Sequence, residues 1–137
     1  MQVHKTESVF WPRLCYSPNG RFVAYDYPVP ADSGRWDVAV IDCSSNEQTA
    51  LIQHPANDRL LGWASRSQEV LFQSDRAGTY DVWAVTTTDG TVEGPPRVVM
   101  RDIGQIEPQG FTDDGCFYFS RFARRPTSYT EIGRAHV

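Results

Sequence analysis

The sequence lacks three features that would each indicate a definite class of protein. Its cysteines number only three, with no Cys-x-x-Cys pair and no suitably spaced histidine, so a disulfide framework and a zinc site are both disfavoured. Its 13 Lys and Arg are outnumbered by 17 Asp and Glu, and the net charge of −4 argues against a surface for nucleic-acid phosphates. The one basic cluster, Arg121 with Arg124 and Arg125, is expected to be a solvated loop. No apolar run approaches the roughly 20 residues of a membrane span. We therefore expect no metal, cofactor, nucleic-acid partner or transmembrane segment in this chain.

Catalytic signatures and helical periodicity are also missing. The Gly-x-Ser-x-Gly elbow that exposes the nucleophile of α/β hydrolases does not occur. Of the three histidines, His4 lies near the start and His136 lies in a segment that we discount below, which leaves His54. No stretch of eleven or more residues without Pro or Gly sustains the apolar period of an amphipathic helix. The sequence thus predicts an all-β protein without catalytic machinery of its own.

An internal repeat is present instead. Three segments of the chain align with one another: Leu14–Tyr25, Leu61–Phe72 and Gln109–Phe119. An aromatic residue marks each copy, and these residues, Tyr16, Trp63 and Phe111, are separated by 47 and 48 positions. A period of this length is typical of propeller blades rather than of helical repeats.

The pattern within each repeat is that of four short strands joined by turns. A tight turn at Pro18-Asn19-Gly20 precedes an aromatic and β-branched run, as a buried strand requires. After a loop rich in Pro, Asp, Ser and Gly comes a second run at Trp36–Asp42, whose counterpart in the next copy is Tyr80–Thr86. A polar turn and a short apolar strand complete each unit, at Ala50–Ile52 and Val98–Met100. Four antiparallel strands of this kind make one propeller blade.

Two segments carry a resemblance to a known family. Tyr16–Tyr25 resembles the Ser-Pro-Asp-Gly signature of TolB-like propeller repeats in bacterial proteins, and Ser74–Trp83 resembles the loop and third strand of the same WD-repeat-like unit. The second copy departs from the signature with Ala-Ser-Arg-Ser at 64–67, and the third lacks the proline. The resemblance covers about Arg13 to Ser128. It implies a partial β-propeller of about two and a half consecutive four-stranded antiparallel blades.

The repeat boundaries divide the chain into consecutive units. Residues 1–12 are expected to be a lead-in, with the end of a preceding blade as one interpretation; 13–58 form the first blade, 59–107 the second and 108–130 part of a third. Residues 131–137, with the sequence Glu-Ile-Gly-Arg-Ala-His-Val, do not continue the alternation and resemble the translation of a common sequencing adapter. We therefore leave this segment out of the fold prediction as an adapter-like artefact, and expect the natural sequence to be interrupted just before it, at about Thr130.

The repeated residues have structural roles in this interpretation. Gly20 and Gly115 supply the positive φ that a tight turn needs. The three repeat aromatics fill the space between neighbouring sheets, where a ring buries roughly 150–250 Å². Asp37 and Asp81 occupy the same place in two blades. A buried hydrogen bond to a neighbouring turn is therefore a better interpretation of these aspartates than a catalytic pair.

The candidate binding residues lie on loops, where propellers usually carry function. His54, Asn57 and Asp58 fall in the connection between the first and second blades, and with Arg76 from a later loop they form the predicted binding surface. We expect this connection to emerge on the same face as the loop that follows the second strand of each blade. The alternative is an Asx-type turn, stabilised by Asn57 or Asp58, with an exposed histidine.

The resemblance implies three settings for such a propeller. It can serve as a protein- or peptide-binding module, as the substrate-gating domain of a prolyl oligopeptidase-type serine hydrolase whose catalytic domain is missing here, or as a sensor segment of a bacterial regulatory protein. The first is our interpretation, because it requires no residue that is absent. It gives a non-catalytic module with an unidentified protein or peptide partner. The compartment, periplasmic or cytoplasmic, is left open.

Overall fold

The described part of the chain is built from β-strands. The structure is a computed structural model that describes residues 11–31, 34–123 and 129–137. Strands and turns account for the regular structure of these residues, and no helix among them is long and apolar enough to cross a membrane. The strands form three sheets in sequence order. The prediction of an all-β fold is confirmed.

Each sheet is a meander of antiparallel strands. The first contains β1 Leu14–Tyr16, β2 Phe22–Pro28, β3 Trp36–Asp42 and β4 Gln48–Ile52. The second contains β5 Asp58–Trp63, β6 Glu69–Ser74, β7 Asp81–Thr88 and β8 Thr91–Met100. The third contains β9 Ile106–Phe111, β10 Cys116–Ala123 and β11 Tyr129–His136. Neighbours in each sheet are neighbours in sequence, so the sheets are consecutive blades of a partial β-propeller, as predicted.

Tight turns at equivalent places join the first two strands of the first and third sheets. The N–H of Gly20 donates to the carbonyl of Ser17 at 2.9 Å, and the N–H of Gly115 donates to the carbonyl of Thr112 at 2.9 Å. Gly20 has φ 71° and Gly115 has φ 86°. This backbone region favours glycine, which explains its presence in both turns.

Apolar side chains fill the two spaces between neighbouring sheets. Between the first and second sheets, the ring of Trp63 stacks on Phe22 with their centroids 6.4 Å apart. Between the second and third sheets, the Phe111 ring approaches Gly62 so closely that a Cβ there would lie 2.7 Å from it. Each of these two repeat aromatics therefore packs against the sheet that precedes its own.

Tyr16 departs from this arrangement. It is 66% exposed, and its neighbour Leu14 is 60% exposed. Both side chains lie on the side of β1 opposite Cys15, which packs against the core between the first two sheets. No sheet among the described residues precedes β1, so this side has no sheet to pack against. The expectation that Tyr16 fills a space between sheets is wrong.

The third sheet contains a strand that the sequence pattern does not predict. β11 pairs with β10 in continuous register, from Cys116 opposite His136 to Ala123 opposite Tyr129. Residues 131–136 therefore form part of the third sheet, although they were left out of the fold prediction. The edge of β10 presents backbone N–H and C=O groups that pair with any extended segment, whatever its side chains. The likeness of this segment to an adapter translation stays a prediction.

The last strand of the second sheet is longer than predicted. β8 runs over Thr91–Met100 rather than Val98–Met100 alone, and it includes Pro95 and Pro96. Proline is tolerated there because β8 is the outermost strand of its sheet, and its register with β7 shifts twice. Because proline is disfavoured in strands, residue preferences did not predict the part of β8 that precedes Val98.

Candidate functional site

One end of the sheets gathers the loops that carry the candidate binding residues. The connections β2–β3, β4–β5, β6–β7 and β8–β9 leave from this end, because successive antiparallel strands alternate in direction. A cleft of about 490 Å³ opens between these loops, and we call it the loop-face cleft. Its wall includes Arg13, Trp36, Asn57, Arg59, Gln73, Tyr80, Gln105 and Glu107. All three sheets contribute to it.

Arg13, which precedes β1, contacts all three sheets. Its Nη2 donates to the carbonyl of Ile106 at 3.2 Å and to Oε1 of Glu107 at 2.7 Å. Its Nη1 donates to the carbonyl of Leu60 at 3.4 Å. The Arg13 side chain is 17% exposed, whereas that of Glu107 is 71% exposed. The ion pair thus has a largely buried cation and a carboxylate at the solvent edge of the cleft.

Asp26 of β2 is a fully buried carboxylate that connects the first two sheets. Its Oδ2 accepts from Nε of Arg59 at 2.7 Å and from the N–H of Leu60 at 3.1 Å, and its Oδ1 accepts from the N–H of Arg13 at 2.7 Å. The Arg59 guanidinium carbon also lies 4.0 Å from the centroid of the Trp36 ring. Burial raises the pKa of Asp26, and the hydrogen bond and charge of Arg59 oppose that rise. These contacts fix Arg59 in the cleft wall.

The equivalent connection between the second and third sheets is neutral. Gln73 of β6 takes the place of Asp26, and the N–H of Ile106 donates to its Oε1 at 3.3 Å. Its Nε2 donates in turn to a carbonyl of the β8–β9 connection. Gln105 directly precedes Ile106, whose N–H bonds to Gln73, as Arg59 directly precedes Leu60, whose N–H bonds to Asp26. A neutral amide therefore connects the second and third sheets at the place where an ion pair connects the first and second.

Two of the four predicted binding residues support the backbone around the β4–β5 connection. Nδ1 of His54 accepts from the N–H of Ala56 at 3.1 Å. The N–H of Asn57 donates to Oδ1 of Asp75 at 2.9 Å, and its side-chain Oδ1 accepts from the N–H of Trp36 at 3.1 Å. Of the four predicted residues, Asn57 belongs to the wall of the loop-face cleft. His54 is half-buried and serves the local turn.

The other two predicted binding residues, Asp58 and Arg76, form a buried ion pair. Nη2 of Arg76 donates to Oδ1 of Asp58 at 3.0 Å, and the two side chains are 13% and 0% exposed respectively. The guanidinium also lies 5.0 Å and 5.3 Å from the ring centroids of Phe72 and Trp83. Burial raises the pKa of Asp58, and the bond to Arg76 opposes the rise. This pair stabilises the second sheet, and its carboxylate is closed to solvent.

The repeated aspartates Asp37 and Asp81 are both buried. Oδ1 of Asp81 accepts from the N–H of Asp102 at 2.7 Å, which ties β7 to the β8–β9 connection. Asp37 accepts from Nη2 of Arg35 at 3.1 Å. Each carboxylate therefore has a partner at the loop end of its sheet. The contacts are those of loop-supporting residues.

Sequence reasoning missed Arg13, Asp26, Arg59 and Glu107. One signal was available, because Asp26 interrupts the aromatic and β-branched run of β2, and a charge inside a buried strand requires a partner. The partner could not be identified from the sequence, since Arg59 lies 33 positions further along the chain. The next repeat does not indicate the pair either, because it has Gln73 in place of Asp26.

The other cavity and side-chain clusters of the described residues are weaker candidates for a binding site. A hollow of about 140 Å³ lies at the opposite end, beside Phe22 and Trp63. Sγ of Cys116 lies 3.4 Å from Nδ1 of His136, but Cys116 is only 1% exposed. No group of three or more His, Cys, Asp or Glu in the described part of the chain could hold a metal ion.

The three consecutive antiparallel sheets have the fold of a partial β-propeller. One solved structure with a similar fold is TolB from Acinetobacter baumannii, with a TM-score of 0.58 and 14% sequence identity. The match covers 88% of this chain and 28% of that chain, so the present chain spans less than a third of its structural counterpart. No family model and no curated protein match the chain. The likeness therefore shows the fold alone.

Proposed function

We propose that this chain is a non-catalytic propeller module of a larger protein and that it binds a protein or peptide partner through the loop-face cleft. The observation that carries the proposal is the cleft itself, about 490 Å³ of space lined by guanidinium, amide and aromatic groups. A concave site with a few convergent polar groups is typical of ligand binding. Loops held by a rigid scaffold are also the usual location of function.

The accessibility of the wall suits a bound peptide. Gln105 is exposed and Tyr80 is half-buried, so both can contact a chain that lies in the cleft. Trp36 is 5% exposed and the Arg59 side chain 18%, and both are fixed by contacts within the protein. Because the wall is held in place before binding, little conformational entropy is lost when a partner arrives.

The proposal is tested by selection from a random peptide library displayed on phage, with the whole chain of residues 1–137 as bait. Enriched peptides are then measured against a variant with a blocked cleft, Gln105→Trp. The matched control is Gln68→Trp, an exposed position in the β5–β6 turn at the opposite end of the sheets. We expect the selected peptides to bind the natural sequence and the control, and to lose at least about tenfold in affinity for Gln105→Trp.

Two outcomes would contradict the proposed function. In the first, no peptide is enriched over an unrelated bait protein. In the second, the enriched peptides bind Gln105→Trp as tightly as the natural sequence, which would place their site outside the cleft.

A further inference from the structure

We propose that the loop-face cleft selects acidic peptides and holds one of their carboxylates between the guanidinium groups of Arg13 and Arg59. In the free protein Glu107 forms an ion pair with Arg13, and the peptide carboxylate takes the place of Glu107. This inference rests on the proposed function, because it names the class of peptide that the same cleft accepts.

The cleft wall presents more hydrogen-bond donors than acceptors. Oδ1 of Asn57 already accepts from the N–H of Trp36, so the amide end that remains for a ligand is its NH₂ donor. Arg13 and Arg59 carry donors alone. Among the described residues of the wall, Glu107 supplies the one carboxylate. A ligand that brings carboxylate oxygens is therefore the chemical complement of this wall.

Arg59 is positioned before a ligand arrives. Its Nε bonds to Asp26 at 2.7 Å, its Nη2 donates to the carbonyl of Trp11 at 3.3 Å, and its guanidinium lies over Trp36. These contacts use part of the N–H donors of the guanidinium group, and the others are left for a ligand. A guanidinium that is already fixed loses little side-chain entropy when it binds a carboxylate.

Glu107 is a replaceable partner of Arg13. Its side chain is 71% exposed, and an ion pair with so exposed a partner contributes little stability. Arg13 keeps its bonds to the carbonyls of Leu60 and Ile106 when Glu107 moves away. Two guanidinium groups then face the ligand, and the buried carboxylate of Asp26 compensates the charge of one of them, Arg59. The cleft gains a net positive charge at the moment a peptide enters.

A peptide fits these charges better than a nucleic acid does. Nucleic-acid backbones are bound by many Lys and Arg spread along a continuous surface, and each contact neutralises one phosphate. The cleft offers two guanidinium groups in a chain whose net charge is −4. One or two peptide carboxylates match that number.

The test is fluorescence anisotropy on the whole chain with short, fluorescein-labelled, amidated peptides of alternating Ala and Glu, Ala and Gln, or Ala and Lys. A fourth probe is the Ala and Gln peptide with a free carboxyl terminus, which distinguishes a terminal carboxylate from side-chain carboxylates. We expect the Glu peptide to bind most tightly and its affinity to fall with salt. Tighter binding of the fourth probe than of the amidated Ala and Gln peptide would show that the same pocket binds the terminal carboxylate of a peptide.

Charge variants at exposed positions distinguish an effect of the cleft on peptide affinity from an effect of the protein's overall charge. Glu107→Gln removes the internal competitor and should tighten the Glu peptide by about two- to fivefold. Gln105→Lys should tighten it and Gln105→Glu should weaken it by similar factors, while neither change touches a side-chain contact of the described structure. Gln68→Glu, with the same charge change at the opposite end, should have no effect.

The outcomes separate this inference from the proposed function. Preference for the Gln or Lys peptide, or equal effects of Gln105→Glu and Gln68→Glu, would overturn the acidic specificity and leave a peptide-binding cleft in place. Weaker binding by Glu107→Gln would overturn the role of Glu107 as a competitor. Absence of binding to all four probes would overturn the inference, and the library selection decides on the proposed function independently.

Discussion

Asp26 shows what a single buried charge requires in a strand. Its two oxygens accept hydrogen bonds from Arg59 and from two backbone N–H groups. At the equivalent place in the next repeat, Gln73 accepts a backbone N–H with a neutral amide oxygen. The amide does not need an arginine, and Gln105 stands where that arginine would be. The fold thus contains both a charged and a neutral form of the same connection.

The two forms of the connection lead to a prediction on stability. Arg59→Gln leaves the carboxylate of Asp26 buried without its cation, and we expect a loss of about 3 kcal/mol in unfolding free energy at neutral pH. Adding Asp26→Gln replaces the unpaired carboxylate with a neutral amide, as Gln73 provides at the equivalent place, and should recover most of that loss. Urea unfolding followed by tryptophan fluorescence measures both. The control Arg97→Gln removes a half-exposed partner of Glu69 and should cost less than about 1 kcal/mol.

Additive losses in the two single variants and their combination would contradict this account. They would show that Asp26 and Arg59 stabilise the fold independently, rather than as a charge and its compensation.

The raised pKa of Asp26 gives a second prediction, on pH. Because the folded protein binds this proton more tightly than the unfolded chain, whose carboxyl has a pKa of about 3.9, the stability contributed by Asp26 is greatest below that pH. It is lost as the pH rises through the raised pKa of the folded state. Arg59→Gln removes the opposing charge and raises that pKa further. Its destabilisation should therefore be large at neutral pH and shrink toward pH 4 in urea titrations.

The variant with both Asp26→Gln and Arg59→Gln is the control for that pH effect, since it lacks the titrating group. Its difference from the natural sequence should show no such shrinkage between pH 7 and about pH 4. A destabilisation by Arg59→Gln that stays constant with pH would contradict the assignment to Asp26.

At the scale of strands and turns, the β7–β8 hairpin contributes to the contact between sheets. Asp89 and Gly90 have φ 48° and 75°, and Thr88 pairs with Thr91, so the two residues form the turn that suits a right-twisted hairpin. The turn also touches the first sheet, because a Cβ on Gly90 would lie 2.8 Å from the ring of Phe22. One glycine therefore serves both the turn and the packing of the sheets.

A pair of glycine variants separates these two roles. Gly20 has nearly the same φ, 71°, but no atom lies within 4 Å of a Cβ built on it. Gly20→Ala should therefore cost only the backbone strain of a positive φ, about 1 kcal/mol. Gly90→Ala should cost about 1–3 kcal/mol more, because the Phe22 ring must move. Equal losses in thermal or urea unfolding would show that the hairpin does not support the contact between sheets.

At the scale of the whole molecule, the two outer sheet faces differ. The outer side of β1 exposes Leu14 and Tyr16, and Trp11 just before it is 88% exposed. On the third sheet, the exposed large hydrophobic side chain among the described residues is Ile132, at 77%. A contiguous apolar surface such as that of Leu14 and Tyr16 favours association. The aromatic residues Phe117 and Phe119 of β10 are buried instead, and their strand has partners on both sides.

We therefore expect the isolated chain to self-associate through the outer face of the first sheet. Light scattering after size-exclusion chromatography should show oligomers for the natural sequence and more monomer for the double variant Leu14→Lys and Tyr16→Lys. Ile132→Lys, a matched change at the other end, should leave the oligomers in place. A monomer from the natural sequence, or relief by Ile132→Lys instead, would place the association elsewhere.

The blades could be predicted from the sequence because they follow from features that recur. The aromatics at 16, 63 and 111 recur at one period and two of the three copies share the turn glycine, so the repeat can be detected in a single sequence. The exposure of Tyr16 could not be predicted, since it depends on which sheet stands beside it and not on the repeat. The pair of Asp26 and Arg59 was missed for the opposite reason, because it lies where the repeats differ. The location of their loops on one face suggested Asp58 and Arg76 as a binding surface, but the two side chains are buried and form an ion pair.

The alternation of a charged and an amide connection limits how such a chain can be rearranged by duplication or recombination. The carboxylate of Asp26 is paired because the first strand of the next unit brings an arginine, whereas Gln73 bonds without a cation. Exchanging the order of two units would set a buried carboxylate against an amide, and we expect that to cost several kcal/mol. Units that share one backbone are therefore not freely interchangeable.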